Sequence, residues 1–224
     1  MEILEYYNKS SFINEVSHLI CEISEKCISD DGIFRLVLAG GETPISIYKQ
    51  LKSIETDWSK WVFYFSDERC DSGNSEHLNF TMAANALLSH IPIQANQVYK
   101  IDTFLGAIEA ANRYNEILKN VVSFDLVLLG LGEDGHTASL FPGNYLGEDV
   151  SAANSIAVFN SPKQPPERVS LSLRRINSSD RIVFLVSGDS KKQIIENLKK
   201  GDDLPASKVK GRIFTKMFFL TENQ

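Results

Sequence analysis

The amino-acid sequence predicts an α/β fold built around a mostly parallel sheet. Mainly apolar runs of strand length at residues 34–39, 61–65 and 126–129 alternate with segments of helical periodicity. An apolar run without polar alternation is typical of a strand buried on both faces, which needs a covering layer on each side. Glycines or charged residues directly follow each run. In an open parallel sheet such residues lie at the carboxyl edge, where ligands bind.

The chain is predicted to begin with a helix, a buried strand and a second helix. Apolar residues spaced three and four apart predict an amphipathic helix over residues 12–28, and the sequence at 30–32 (Asp-Asp-Gly) ends it. Residues 34–39 form the first buried strand of this prediction. A helix over residues 44–51 follows, with Thr43 as its candidate N-cap and a proline at its first position.

The remainder of the chain continues this alternation. A second strand is predicted at residues 61–65 and a polar loop at 71–77. Further helices are predicted at residues 79–88, 104–119 (capped by Thr103) and 190–198. Further strands are predicted at 126–129, 155–159, 181–186 and 217–220, and apolar residues alternate with serines over 169–173. Because no repeat, low-complexity segment or linker interrupts the sequence, residues 1–224 are predicted to form one domain.

Composition and charge exclude several classes of partner. The chain has 224 residues, 43% of them hydrophobic, which is enough for a full core. Its net charge is −6 and its pI is near 5.3, so there is no broad basic field to bind nucleic acid or an anionic membrane surface. An anionic substrate would therefore need a local cluster of cations. Composition leaves the choice between a monomer and a small homo-oligomer open.

Targeting and cysteine signals predict a soluble, cytoplasmic protein. The first residues lack the basic and apolar regions of a secretion signal, and nowhere do eighteen apolar residues run together. Cys21, Cys27 and Cys70 are odd in number and lack the spacing of metal ligands or of a redox pair. Free thiols of this kind are typical of a reducing compartment.

The stretch at residues 125–142, DLVLLGLGEDGHTASLFP, carries the strongest candidate for chemistry. Its apolar strand leads into a turn with three glycines, which permit a sharp bend and close approach of a ligand. Asp134, His136 and Thr137 lie in the same turn. Taken alone, such a turn could also be purely structural, with a histidine that only caps a helix or hydrogen-bonds to a carbonyl group.

Gly40 and Gly41 form a second candidate, because they lead into a helix N-terminus. Free backbone N–H groups and the helix dipole favour an anion such as phosphate at that point. Thr43 belongs to the same loop. A purely structural turn explains the glycines equally well, and the carboxylate of Glu42 would repel a phosphate unless it points away.

Two further polar clusters follow predicted strands. Asp67 and Arg69 directly follow the second strand, although such a run is often only a solvated ion-pair cluster. Residues 161–168 combine three prolines with Lys163 and Arg168. A stiffened loop lowers the entropy lost when cations are fixed around an anion, so this segment is a candidate phosphate clamp or a rigid surface connection. The lysines on the exposed face of the helix predicted at 190–198 are expected to be solvated, namely Lys191, Lys192, Lys199 and Lys200.

Five segments in chain order resemble those of the 6-phosphogluconolactonase family. They are AGGETP (39–44), SDERC (66–70) with Asn79 twelve residues after Asp67, LGLGEDGHTASLFP (129–142), SPKQPPERVSLSL (161–173) and LPA (204–206). The resemblance spans most of the chain, and its most specific parts are DGHTASLFP and SPKxPPERV. It implies a three-layer α/β/α sandwich with a mostly parallel sheet, a modified Rossmann-like fold of the sugar-phosphate isomerase type.

The resemblance also implies a reaction and a set of site residues. The substrate would be a phosphorylated sugar lactone, 6-phospho-D-glucono-1,5-lactone, which water opens to 6-phosphogluconate in the oxidative pentose phosphate pathway. His136 would be the general base, with Asp134 or Asp67 orienting its imidazole or the water. Arg69, Lys163 and Arg168 match positions that look like phosphate ligands. Neither a metal nor an organic cofactor is expected.

Two alternatives to the lactonase remain at this stage. Deaminases and aldose–ketose isomerases of the same fold also use an Asp-Gly-His turn, but their pattern places a glutamate five residues after the histidine, where this chain has Phe141. The other alternative is a sugar-phosphate-binding module without catalysis. Because His136, Arg69, Lys163 and Arg168 fill the motif positions, the sequence favours the enzyme.

Overall fold

The computed structural model describes residues 1–71 and 75–221, and residues 72–74 of the predicted polar loop lie outside this part. Its α-helices are α1 (Lys9–Asp31), α2 (Glu42–Leu51), α3 (Asn79–Ala86), α4 (Ala107–Leu118), α5 (Leu173–Asn177) and α6 (Lys192–Lys200). Its strands are β1 (Glu2–Tyr6), β2 (Phe34–Leu38), β3 (Trp61–Phe65), β4 (Asp67–Arg69), β5 (Leu126–Leu129), β6 (Ser155–Val158), β7 (Arg168–Leu171), β8 (Arg181–Ser187) and β9 (Phe214–Leu220). Short 3-10 turns join several of these elements.

Six strands form a central parallel sheet in the order β1-β9-β8-β5-β2-β3. The strands β4, β7 and β6 form a separate antiparallel sheet of three. All four residues of β5 are buried, as expected of a central strand covered on both faces. The predicted α/β class with a mostly parallel sheet is therefore confirmed.

Helix α1 illustrates how sequence periodicity produces this packing. Five of its apolar residues recur at helical spacing and are buried against the sheet: Phe12, Val16, Ile20, Ile23 and Cys27. Asn8 caps its first turn by accepting a hydrogen bond from the amide of Ser11. Gly32 ends the helix because it takes a φ of 73°, and its N–H donates to the carbonyl of Ile28.

The sheet has a crevice between β2 and β5. After β2 the chain adds β3 on one side, and β5 then lies on the other side of β2. β2 pairs with β3 as far as Leu38, but it pairs with β5 only through Leu36 and Val37. The two strands thus separate before their carboxyl ends, at the point where the strand order reverses. This is where open α/β sheets bind their ligands.

The sequence prediction missed strand β1. β1 lies at the edge of the sheet beside β9, and Ile3, Leu4 and Tyr6 are only half-buried between exposed glutamates. An edge strand of this kind has no continuous apolar run to mark it. The short strand β4 and the five-residue helix α5 were also missed, because neither is long enough to show a period.

Both predicted threonine caps are wrong. Helix α2 begins at Glu42 with Gly41 as N-cap, so Thr43 lies inside its first turn. Helix α4 begins only at Ala107, because the preceding residue, Gly106, has a φ of 85° and is therefore not helical. Thr103 instead donates its hydroxyl hydrogen to the carbonyl of Arg69. In the part of the chain that the structure describes, no helix is long and apolar enough to cross a membrane.

Candidate active site

A cavity of about 340 Å³ occupies the crevice at the carboxyl edge of the sheet. Its walls are formed by the residues that follow β2, β3 and β5 and by the end of β8. Eight of the residues predicted from the sequence line it: Gly40, Gly41, Thr43, Asp67, Arg69, His136, Lys163 and Arg168. Residues from three segments far apart in the chain, 67–69, 134–137 and 163–168, therefore meet at one site.

His136 is held in the cavity by Asp134. Its Nδ1 lies 2.5 Å from Oδ1 of Asp134, which also accepts a hydrogen bond from the backbone amide of His136 at 3.2 Å. Gly132 allows this pair to form, since a Cβ at that position would lie 2.0 Å from the same Nδ1. The carbonyl of His136 accepts a hydrogen bond from the amide of Gly132 at 2.8 Å, which closes the turn.

The protonation of His136 follows from this environment. Burial of the imidazole, whose side chain is 13% exposed, lowers its pKa, and the hydrogen bond and charge of Asp134 only partly offset that effect. Burial raises the pKa of Asp134, but the interactions with His136 outweigh it and the net shift is downward. The pair is thus a neutral imidazole beside a carboxylate. Since a carboxylate only accepts hydrogen bonds, Nδ1 carries the proton and Nε2 has a free lone pair.

Asp67 has a different set of partners. Its carboxylate accepts hydrogen bonds from the hydroxyl groups of Ser66 at 3.1 Å and Ser139 at 2.6 Å, and from the side-chain amide of Asn79 at 3.2 Å. It joins the end of β3, the turn after His136 and the start of α3. Of the two aspartates that the sequence offered as partners of His136, Asp134 makes the hydrogen bond.

Gly40 and Gly41 connect β2 to the N-terminus of α2. Gly40 lies against Asn79, where a Cβ would be 2.0 Å from Oδ1 of that residue, and Gly41 has a φ of 106°. The hydroxyl of Thr43 lies 2.7 Å from that of Ser187 in β8, which fixes the first turn of α2 against the sheet. Glu42 is exposed at the rim of the cavity.

The proline-rich segment folds around Arg168. Its Nε donates to the carbonyl of Pro165 at 3.2 Å, and its Nη2 donates to those of Lys163 at 3.1 Å and Gln164 at 3.0 Å. The buried guanidinium carries five N–H donors, and within the described residues the two on Nη1 are left for a ligand. Lys163 is exposed beside it on the cavity wall.

Arg69 lies next to Arg168, because the two residues are partners across the antiparallel strands β4 and β7. Its Nη1 donates to the carbonyl of His77 at 2.5 Å, while its Nε is buried with no hydrogen-bond partner among the residues that the structure describes. A cation with an unsatisfied donor beside Lys163 and Arg168 makes the cavity locally positive in an acidic protein. This is the local cationic cluster that an anionic substrate requires.

Lys191 is a cavity residue that the sequence analysis placed wrongly among solvated lysines. Its side chain is only 19% exposed, and its Nζ lies 3.8 Å from a carboxylate oxygen of Glu133. Burial lowers its pKa, with Glu133 partly opposing the shift. Lys191 belongs to a 3-10 turn that follows Gly188 rather than to α6, so helical periodicity could not predict its direction.

Comparison with known proteins identifies the family. A family model described as glucosamine-6-phosphate isomerases/6-phosphogluconolactonase matches residues 7–217. The chain belongs to this family. The resemblance drawn from the sequence motifs is thereby confirmed.

Family members from plants, yeast and a bacterium are similar over most of the chain. The chloroplastic 6-phosphogluconolactonase 3 of Arabidopsis thaliana is 33% identical over 221 residues, covering 90% of this chain and 68% of the relative. The 6-phosphogluconolactonase 4 of Saccharomyces cerevisiae is 32% identical, covering 100% of this chain and 96% of the relative. The crystal structure of a 6-phosphogluconolactonase from Thermotoga maritima has a TM-score of 0.89 at 29% identity and covers 99% of each chain.

Five positions after His136, where the deaminase pattern described above is expected to have a glutamate, this chain has an aromatic residue. This residue, Phe141, has its ring centroid 4.6 Å from that of His136. The guanidinium carbon of Arg168 lies 5.7 Å from the centre of the same ring. An apolar ring thus occupies the place of the carboxylate that the deaminase pattern requires. It contributes to the burial of the imidazole and so to its lowered pKa.

Proposed function

We propose that this protein hydrolyses 6-phospho-D-glucono-1,5-lactone to 6-phospho-D-gluconate, a step of the oxidative pentose phosphate pathway. The names of its relatives support the substrate. In this chain, one observation carries the proposal: a neutral His136, oriented by Asp134, faces a cavity rimmed by arginine and lysine. That arrangement suits a base-catalysed reaction on a phosphorylated small molecule.

His136 would act first as a base and then as an acid. Its Nε2 takes a proton from a water molecule, whose oxygen forms a bond to the lactone carbonyl carbon. When the tetrahedral intermediate breaks the bond between that carbon and the ring oxygen, the imidazolium returns the proton to the ring oxygen. The carboxylic acid formed then loses its proton to solvent. A base positioned in this way contributes about 10²–10⁴-fold to the rate.

Asp134 would keep the imidazole in the correct tautomer and stabilise the imidazolium between the two steps. Backbone amides of the turn at residues 130–135 would stabilise the oxyanion of the tetrahedral intermediate. The amides of Gly132 and Gly135 already donate to the carbonyls of His136 and Gly132. The role therefore falls to the remaining amides of this turn.

The phosphate would be held by Arg69, Lys163 and Arg168, with Lys191 as a fourth cation. The first turn of α2 adds backbone donors, since the amides there have no partner within the helix. A phosphate bound away from the reacting carbonyl supplies binding energy that positions the lactone against His136. Opening an ester with a histidine base needs neither a metal nor an organic cofactor.

Phe141 supports the lactonase over the isomerase, because a ring-opening relay needs a carboxylate at that position. We also propose that residues 1–224 act as one domain in the cytoplasm. The family match over residues 7–217 and the free thiols of Cys21, Cys27 and Cys70 support this.

The test is the rate of hydrolysis of freshly generated 6-phosphogluconolactone above its spontaneous background. The native protein should accelerate hydrolysis, and His136→Asn should lose about 10²–10⁴-fold of that acceleration. His90→Asn is the matched control, because His90 is exposed and, among the described residues, its ring bonds only to the carbonyl of Asn85. A native protein that binds 6-phosphogluconate but does not hydrolyse the lactone would be a binding module. Release of ammonia from glucosamine-6-phosphate would indicate the isomerase.

A further inference from the structure

Tyr48 connects the end of strand β2 to helix α2, across the loop that faces the cavity. Its side chain is fully buried, and its hydroxyl both accepts from the amide of Ala39 and donates to the carbonyl of Ala39, each at 2.9 Å. Ala39 directly follows β2, and Tyr48 lies in the second turn of α2. One hydroxyl group therefore joins the two ends of the loop formed by Gly40 and Gly41.

The sheet register explains why Ala39 needs this partner. The ladder between β2 and β5 ends at Val37 and Val127, although β5 continues to Leu129. Where the strands separate, Ala39 has lost its ladder partner, yet it is still buried. A buried peptide group must find a hydrogen bond elsewhere. The hydroxyl of Tyr48 supplies both bonds while leaving the crevice open.

The same arrangement recurs on the neighbouring strand. The hydroxyl of Tyr114, a buried residue of α4, accepts from the amide of Phe65 and donates to its carbonyl, each at 3.0 Å. Phe65 is the last residue of β3 and precedes Asp67 by two positions. Two strand ends at the cavity are thus fixed by tyrosine hydroxyls from covering helices.

We propose that Tyr48 is a positioning residue for the phosphate end of the substrate. It holds Ala39 in place and thereby determines where the amides of Gly40 and Gly41 and the first turn of α2 meet the anion. Gly40 cannot shift toward α3, because Asn79 already fills the space next to it. Tyr48 is not among the residues that line the cavity, so it acts through the loop rather than by contact.

The inference rests on the proposed function for the identity of the substrate, and the test compares Tyr48→Phe with Tyr64→Phe. Tyr64 is also a buried tyrosine, and its hydroxyl has no hydrogen bond within residues 1–71 and 75–221. Tyr48→Phe should raise KM about tenfold with kcat changed less than about twofold, since a loop displaced by a fraction of an ångström weakens substrate binding. Tyr64→Phe should change neither constant.

Calorimetric titration with 6-phosphogluconate and with inorganic phosphate separates this inference from the proposed function. Both dissociation constants should rise in Tyr48→Phe and not in Tyr64→Phe, even if the native protein proved inactive on the lactone. A folded Tyr48→Phe with native KM and native dissociation constants would overturn the inference.

A second measurement covers the case in which Tyr48→Phe does not fold. In the native protein, hydrogen exchange of the Ala39 amide should be slow with or without 6-phosphogluconate, because Tyr48 already binds it. The amides of Gly40 and Gly41 should exchange faster and become protected when the ligand binds. An Ala39 amide that exchanges as fast as that of Gly40 in the free protein would contradict the positioning role.

Discussion

Nδ1 of His136 lies 2.5 Å from Oδ1 of Asp134, two residues earlier in the same glycine-rich turn. A hydrogen bond over so short a stretch of chain fixes the imidazole without help from a distant element. Among the described residues, the other ring nitrogen makes no hydrogen bond, and His136 lines the cavity. The base of the proposed reaction and the group that orients it are thus both supplied by the single turn that follows β5.

Asp134→Asn should both slow the reaction and change its pH dependence. Burial lowers the pKa of His136, and Asp134 opposes that effect, so loss of the carboxylate should lower this pKa further. The acid limb of the kcat/KM profile should therefore move to lower pH. At pH 7 the rate should fall about 10²-fold, because the tautomer and orientation are lost. The measurement is kcat/KM between pH 5 and 8, corrected for spontaneous hydrolysis.

Asp149→Asn is the control for this experiment, since Asp149 is exposed and its carboxylate bonds, within the described part of the chain, only to the hydroxyl of Tyr145. It should leave the profile unchanged. An Asp134→Asn variant with the native acid limb and native rate would show that His136 does not depend on its neighbour.

Gly132→Ala should disable His136 with little effect on folding elsewhere. An added Cβ would lie 2.0 Å from Nδ1 of His136 and 2.5 Å from Oδ1 of Asp134, so the pair must separate. We expect kcat to fall about 10²-fold, as a displacement of about 1 Å in a reacting group can do. Nuclear magnetic resonance of the imidazole should show the change directly.

Gly130→Ala provides the comparison, because an added Cβ there lies within 4 Å of no described residue other than its chain neighbours. Its imidazole resonances should remain at their native positions. Equal spectra for native protein and Gly132→Ala would mean that the turn accommodates a methyl group and that the glycine is not required.

The contrast between Asp134 and Lys191 shows how far the sequence could predict the site. Asp134, His136 and the cations at 163 and 168 lie in contiguous motifs that directly follow or precede strands, so their meeting at one sheet edge could be foreseen. The place of Lys191 in the cavity could not be predicted, because the direction of its side chain depends on the 3-10 turn after Gly188. Nor could the sequence show which aspartate binds His136, since Asp134 and Asp67 both follow strands at the same edge.

Some elements of the fold could also be predicted from the sequence, whereas others could not. Strands with continuous apolar runs, such as β3 and β5, have the bounds that the sequence predicts. The edge strand β1 was missed because partial burial leaves no such run. Helix α4 starts later than predicted because Gly106 takes a left-handed φ, which periodicity does not reveal.

Lys191→Met should weaken substrate binding while leaving chemistry intact. The lysine is mostly buried on the cavity wall, where burial disfavours its charged form and Glu133 only partly offsets that effect, so a bound phosphate would stabilise the charge further. Removing the cation should raise KM about tenfold, the effect of losing one charge-assisted hydrogen bond, with kcat nearly unchanged. Steady-state kinetics at two salt concentrations would measure this rise in KM, which should be smaller at high salt because salt screens the charge of the lysine.

Lys192→Met is the matched control, since the next lysine is 54% exposed and contacts Asp189 at the surface. Its KM should stay native. If Lys191→Met and Lys192→Met gave the same KM, Lys191 would be a wall residue without a role in binding the phosphate.

Glu68 should make stability depend on pH in the opposite sense to most carboxylates. The side chain is buried at the start of α3, where its oxygens accept hydrogen bonds from the amides of Arg69, Asn79 and Phe80. Burial raises its pKa to about 7, and the three hydrogen bonds offset only part of that rise. The folded state therefore holds a proton on Glu68 at a pH where the unfolded chain has released it.

The free energy that Glu68 contributes should be fully present below its unfolded pKa, near 4.5, and lost as pH rises to about 7. The loss should be on the order of 3 kcal/mol, from a shift of two to three pKa units. Urea unfolding of native protein and Glu68→Gln between pH 4 and 8 isolates the contribution of Glu68, because the titration of other groups cancels in the difference between their free energies of unfolding.

Glu116→Gln is the control, because it changes an exposed carboxylate paired with Lys119. Its free energy of unfolding should differ from that of the native protein by less than about 0.5 kcal/mol throughout. A difference between native protein and Glu68→Gln that stays constant from pH 4 to 8 would show that the pKa of Glu68 is the same in the folded and unfolded protein, so that its three hydrogen bonds fully offset burial.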